Sequence, residues 1–189
     1  FHKMNRAYQA KFGFPFILCV RRNTKDSILD AFARRLEHSH QEEQETAFSE
    51  IRYIAALRLA QLVSAQDTLP VHGELALQVI DAENGRPAGD VSVELIELSL
   101  RGEDRKIAAI TTNATGGADQ ALIRGRPLPI GVYEIRIDAG EYLRRQDAAV
   151  PATARLEVIP IRLRILVPES QLQIVLRIAP SGYVVSGIV

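Results

Sequence analysis

Arg58 stands on a helical face that is otherwise apolar, with Ile54, Ala55 and Leu62 as its neighbours. A guanidinium turned into a protein interior is costly unless it meets a carboxylate or an anionic ligand. Two readings of Arg58 stay open on spacing: a structural ion pair with Glu50 or Asp30, or a grip on an anionic ligand. The histidines offer less. His2 lies at the start of the chain, and His38 and His40 flank Ser39 between two helical stretches, where both are expected to be solvated. No set of His, Cys, Asp and Glu has metal-ligand spacing, and no metal or cofactor is expected. Cys19 is the single cysteine, which excludes an intrachain disulfide and favours a cytosolic compartment. Arg124 and Arg126, beside Pro127 and Pro129, form a basic loop expected to be solvated surface.

The elements that must position these residues follow two different periods. Up to about residue 63, apolar side chains recur every three to four positions; from Val71 onward they alternate and are punctuated by Gly and Pro. The seam lies at Ser64–Val71. Two modules are therefore expected: a helical one over 1–66, a linker over 67–72 and a strand-rich one over 73–189. The 189 residues carry 23 Lys and Arg against 23 Asp and Glu, a formal net charge of zero. That balance gives no electrostatic reason to expect nucleic acid or an anionic membrane as partner. No apolar run approaches the roughly 20 residues of a membrane span. The first segment reads as mid-domain and begins with Phe, so the chain is expected to be a piece of a longer protein.

In the first module Met4, Tyr8 and Phe12 make one stripe of a helix that Gly13 and Pro15 end. Phe14–Val20 is expected to cross the interior as an extended or loosely wound segment. Thr24 can cap a second helix with Ser27, Ile28, Phe32 and Leu36 on its inner face and Arg34 and Arg35 outside. A third helix is expected from about Gln41 to Val63, burying Ala47, Ile51, Ile54, Leu57, Leu59 and Leu62. Glu42, Glu43 and Glu45 occupy its first turn, where the helix dipole favours them.

The second module reads as hairpins. Leu75–Asp81 and Val91–Leu98 alternate around an Asn84-Gly85 turn; Ile107–Asn113 and Gly131–Asp138 follow, then a short turn or helical piece, then Val158–Val167 and Leu172–Ala179. About seven or eight short strands with frequent turns indicate a β-sandwich. The expected fold class is α+β in two segregated modules.

Asn5–Val20, with Lys11-Phe12-Gly13-Phe14-Pro15-Phe16, and Arg34–Val63, with Glu50-Ile51, Ile54 and Arg58-Leu59, resemble the carboxy-terminal part of the ureidoimidazoline decarboxylase family. Members act on 2-oxo-4-hydroxy-4-carboxy-5-ureidoimidazoline (OHCU) late in urate breakdown. The resemblance implies an all-helical domain and a lyase that releases carboxylate and delivers a proton stereospecifically to give (S)-allantoin. The family's catalytic His and acidic residue map upstream of Phe1. Arg58 matches its late Arg, implied to hold the substrate's anionic group as a bidentate donor. The backbone of Phe16 and Ile17 is implied to lie beside the substrate.

Asp81, Gly85-Arg86-Pro87-Ala88, Val91, Val93, Leu95, the Thr112-Asn113 turn, and Pro180 with Gly182-Tyr183 resemble the transthyretin-like hydroxyisourate hydrolases. That family implies a β-sandwich, a homotetramer with sites at subunit interfaces, and addition of water to a ring amide. The two families also occur fused elsewhere, serving consecutive steps. The departures fall on the implied site. Gln78 and Gln173 stand where the hydrolases carry His, Gly117 where they carry Arg, and Ser186 and Gly187 where the closing Tyr and Arg are expected. Water attack on an amide needs a base and an oxyanion donor, and general acid–base work alone contributes about 100- to 10,000-fold. Gln can donate and accept hydrogen bonds but takes up no proton near neutral pH. The expectations are a urate-breakdown protein with a small ureide substrate, any reaction residing in the helical module, and a β module that has lost hydrolysis and serves as a tetramerising scaffold. Ligand binding in a Gln-lined channel, and altered catalysis, are the alternatives.

Overall fold

The computed structural model describes residues 2–63, 71–146 and 156–187. It divides into two compact units, Phe1–Val71 with Pro129–Gly131, and His72–Leu128 with Val132–Val189. The linker expected at 67–72 falls mostly outside the described residues.

The helical unit contains α1 (His2–Phe12), α2 (Lys25–Arg35) and α3 (His40–Leu62), with a 3-10 turn at Val20–Arg22. The stripe on α1 packs as its spacing predicts: Tyr8 and Phe12 are buried with Phe32, and Met4, Phe14, Phe16, Ile28 and Leu36 surround them. Gly13, at φ +77°, ends α1 in the left-handed conformation that glycine adopts without a Cβ penalty. Thr24 caps α2, its side chain accepting from Ser27 N. A capping box starts α3, with Ser39 and Glu42 satisfying each other's backbone N–H.

Two expectations for this unit are corrected. Arg35 does not face outward; it is 1% exposed. Of the stripe expected on α3, only Ala47 and Leu57 are buried, joined by Glu43. Ile51, Leu59 and Leu62 are exposed, as is Phe48 at 67%. Apolar residues lie on more than one side of this 23-residue helix, and the described elements of its unit cover one face of it.

The second unit is a β-sandwich built from β1 (Gly73–Asp81), β2 (Ser92–Leu98), β3 (Arg105–Thr111), β4 (Ile123–Arg126), β5 (Gly131–Asp138), β6 (Val158–Ile165), β7 (Gln171–Ala179) and β8 (Gly182–Ser186), with α4 (Ala139–Gln146) after β5. The sheets run β4-β1-β7-β8 and β3-β2-β5-β6. The inward residues of both form one core, centred on Leu75, Val79, Val93, Ile135, Ile159 and Leu176. The hairpin reading holds for β2–β3, which are antiparallel neighbours, while β8, a strand the alternation did not mark, adds an antiparallel pair with β7. It fails for β1–β2 and β6–β7, whose members lie in opposite sheets. The Asn84-Gly85 turn forms, with Gly85 at φ +70°, but the chain leaving it crosses to the second sheet. β1 pairs instead in parallel with β7, nearly a hundred positions away. Alternation reports which face of a strand is buried, not which strand lies beside it. Arg124 and Arg126 lie on β4 rather than on a loop.

Candidate functional site

In the helical unit, Phe14–Cys19 runs between α1 and the 3-10 turn without regular structure. Its groups are held individually. The Phe16 ring stacks on Phe32 at 3.6 Å between centroids and lies 4.4 Å from the Arg35 guanidinium. Arg35 Nη1 donates to Ile17 O at 2.8 Å. Cys19 N donates to Glu50 Oε2 at 2.7 Å. Ile17 lines an open apolar groove of about 220 Å³ with Phe14, Ala47, Phe48 and Ile51.

Behind this segment lies a buried polar cluster. Glu43 Oε1 accepts from Arg35 Nε at 2.8 Å and also from the Tyr8 hydroxyl. Its Oε2 lies 2.9 Å from His38 Nδ1. Burial opposes ionisation of Glu43, but the hydrogen bonds from Arg35 and Tyr8 outweigh it and hold the carboxyl below its ordinary range. Burial, then the hydrogen bond to Glu43, pushes the Tyr8 phenol up. His38 is thus engaged with a buried carboxylate rather than simply solvated.

Arg58 is exposed, contrary to the inward reading. Glu50, one of its expected partners, serves Cys19 N instead. Arg58 follows Ile51 by seven residues, so the two share a face of α3 about 10 Å apart along the axis. Ile17 and Ile51 line the same groove, while Phe16 points away from it into the aromatic cluster.

In the β unit, Gln78, Gly117 and Gln173 line one open cleft of about 260 Å³. The outward positions of β1 and β7 supply the glutamines, with Ala76 opposite Gln173 and Gln78 opposite Val175. The turn after β3 supplies Gly117. Gln78 Nε2 donates to Thr115 O at 3.3 Å. The wall also carries Glu74, Asp119 and Arg124. Arg124 Nε lies 3.3 Å from Glu74 Oε2, and Asp119 Oδ1 accepts from Asn113 Nδ2 at 2.8 Å. Ser186 and Gly187 lie at the end of β8 and do not line the cleft. Ser186 pairs with Val175, and a Cβ on Gly187 would sit 3.3 Å from Gln173 O.

Comparison with known proteins bears on both units. The OHCU decarboxylase family model matches residues 1–60, and the HIUase/Transthyretin family model matches residues 75–186. The second match covers more than half of the chain. The chain belongs to the HIUase/Transthyretin family. Its transthyretin-type unit is 34% identical over 112 residues to 5-hydroxyisourate hydrolase 2 of Rhizobium meliloti, covering 59% of this chain and 92% of that protein. The helical unit is 41% identical over 66 residues to the 2-oxo-4-hydroxy-4-carboxy-5-ureidoimidazoline decarboxylase of Haloferax volcanii, covering 35% of this chain and 39% of that protein. Among solved structures, an (S)-allantoin synthase matches 98% of this chain and 68% of its own, at 28% identity and a TM-score of 0.57. A sea bream transthyretin, solved with thyroxine, matches 61% of this chain and 95% of its own at 28% identity and a TM-score of 0.54. The chain is thus a fusion of a decarboxylase-type segment and a transthyretin-type domain.

Residue patterning missed the Arg35–Glu43–Tyr8 cluster and the cleft residues Glu74, Asp119 and Arg124. Arg35 carried one usable signal: it follows Phe32 by three positions and so shares its buried face. Asp119 carried none, because its place depends on the fold of the turn after β3.

Proposed function

We propose that this chain is part of a urate-breakdown protein of the allantoin synthase type, whose helical unit contributes to decarboxylation of OHCU. The observation that carries this reading is the match of 98% of the chain, and so of residues in both units, to an (S)-allantoin synthase. In this reading Arg58, exposed and on the groove side of α3, binds the carboxylate or another anionic group of the ureide. The backbone at Phe16 and Ile17 forms the adjoining wall.

The transthyretin-type unit serves as an assembly scaffold and does not open 5-hydroxyisourate. Its glutamines cannot act as bases near neutral pH, and the two cleft carboxylates are tied to Arg124 and Asn113. Support for assembly comes from the outward face of β4-β1-β7-β8, where Ala76, Gln78, Gln173, Val175, Val184 and Ser186 form an uncharged patch beside Arg177, which donates to Ser186 Oγ, and the Glu74–Arg124 pair. The outward face of the other sheet is laced with ion pairs: Glu94–Lys106, and Glu134 with both Arg136 and Arg162.

The test uses the full-length protein. OHCU and 5-hydroxyisourate are supplied separately, and decay of each is followed against its spontaneous rate. Accelerated loss of OHCU alone is expected. Accelerated ring opening of 5-hydroxyisourate overturns the scaffold reading and directs attention to Glu74 and Asp119 as bases.

A further inference from the structure

We infer that Arg35, locked by Glu43, is a positioning residue for the Phe16–Ile17 backbone, on which ureide recognition by the helical unit depends. The inference rests on the decarboxylase reading for its substrate but on geometry for its mechanism. An irregular segment must satisfy its backbone polar groups somewhere. Here the Ile17 carbonyl is satisfied by the guanidinium of a helix residue 18 positions away, at 2.8 Å. The same guanidinium lies over the Phe16 ring at 4.4 Å. One planar group therefore fixes both the carbonyl of residue 17 and the ring of residue 16. Its Nε and Nη2 both donate to Glu43 Oε1, which restricts rotation of the fork. Tyr8 and His38 in turn hold the Glu43 carboxylate.

Stability alone does not call for this arrangement. Buried ion pairs can often be replaced by apolar residues of similar volume at no loss, because desolvation offsets their attraction. What an apolar replacement cannot do is bond the Ile17 carbonyl. The side of the segment away from Arg35 is open: Ile17 lines the groove beside α3. A segment gripped from behind and accessible in front can present its backbone to a ligand at low reorganisation cost.

Arg35→Lys keeps the charge but loses the planar fork. In the full-length protein it is expected to raise KM for OHCU about tenfold while kcat falls by less than about threefold, the pattern of lost binding common to substrate and transition state. Ser39→Ala, which disturbs the capping box of α3, serves as the control and should lower thermal stability with KM unchanged. Amide hydrogen exchange supplies a readout independent of turnover. The Cys19 N–H, bonded to Glu50, should exchange faster in Arg35→Lys and not in Ser39→Ala. If Arg35→Lys does not fold, Tyr8→Phe removes one donor from Glu43 while keeping the ring, and the same acceleration at Cys19 is expected. Unchanged KM in Arg35→Lys, or unchanged Cys19 exchange in the folded variant, overturns the inference. A wild-type protein that does not consume OHCU overturns the decarboxylase reading instead, and the exchange measurement still decides whether Arg35 positions the segment.

Discussion

The two arginines of the helical unit exchange the roles their spacing suggested. Arg58 has apolar neighbours and is exposed; Arg35 adjoins another arginine and is buried. Helical periodicity fixes the angle at which a side chain leaves its axis, but not which helix lies opposite or whether a carboxylate waits there. Glu43 decides the matter, and its first-turn position on α3 gave no hint that it points inward. Removing one partner of a buried ion pair costs about 3–5 kcal/mol, because the other charge is left uncompensated. Arg35→Ala is therefore expected to lower thermal stability far more than Arg58→Ala, which should leave the melting temperature unchanged and reduce OHCU turnover. The Glu43 carboxyl is held below its ordinary value, by hydrogen bonds that outweigh burial. A depressed folded value stabilises above the unfolded carboxylate value of about 4.3 and loses that contribution as pH falls through the folded one. The wild-type melting temperature should accordingly drop on acidification below about pH 4, and Glu43→Gln should flatten that part of the curve.

The strands themselves were legible, since alternation marks their inner faces: β6 buries Ile159, Ile161, Leu163 and Ile165 and exposes the residues between. Their partners were not, because the parallel β1–β7 ladder joins distant segments that no local pattern connects. The turn after β3 shows how geometry ranks neighbouring glycines. Gly116 has φ +74°, and a Cβ there would meet Val79 O at 2.2 Å. Gly117 has no such restriction; its Cβ would find nothing nearer than Thr115 Oγ1 at 3.6 Å. Gly116→Ala should cost at least about 1–3 kcal/mol, from the strained backbone alone. Gly117→Arg should leave stability within about 0.5 kcal/mol, as expected for a substitution away from packed or strained features. Chemical denaturation of both variants, followed by a β-sensitive signal, checks the ranking. The reverse order would mean that the turn adopts another conformation. Tolerance at Gly117 also means that an arginine can be restored to the cleft wall without disturbing the scaffold around Gln78 and Gln173.

At the scale of the whole molecule, the two outward faces of the sandwich make different demands on their surroundings. On β3-β2-β5-β6, Glu134 is 5% exposed and receives guanidinium groups from both Arg162 and Arg136, which hold its carboxyl below the usual range. A face covered by paired charges is well solvated and resists association, since each pair would have to be desolvated. On β4-β1-β7-β8 the central positions Gln78, Val175 and Ser186 lie side by side in register and carry no charge. Amides, hydroxyls and aliphatic side chains can be buried against a copy of themselves at smaller cost. A symmetric assembly through this face brings the same residue of each copy close to its counterpart, so a charge placed there is opposed by its own image. Val175→Arg is the sharpest probe, being central and half-buried within a single chain. Light scattering after size-exclusion chromatography of the full-length protein should show a multimer for wild type and a smaller species for Val175→Arg, with unchanged circular dichroism. Arg162→Ala, on the opposite face, should leave the mass unaltered. If Val175→Arg elutes with the wild-type mass, the Gln-lined face is not the assembly surface, and its cleft is open to a small-molecule ligand instead.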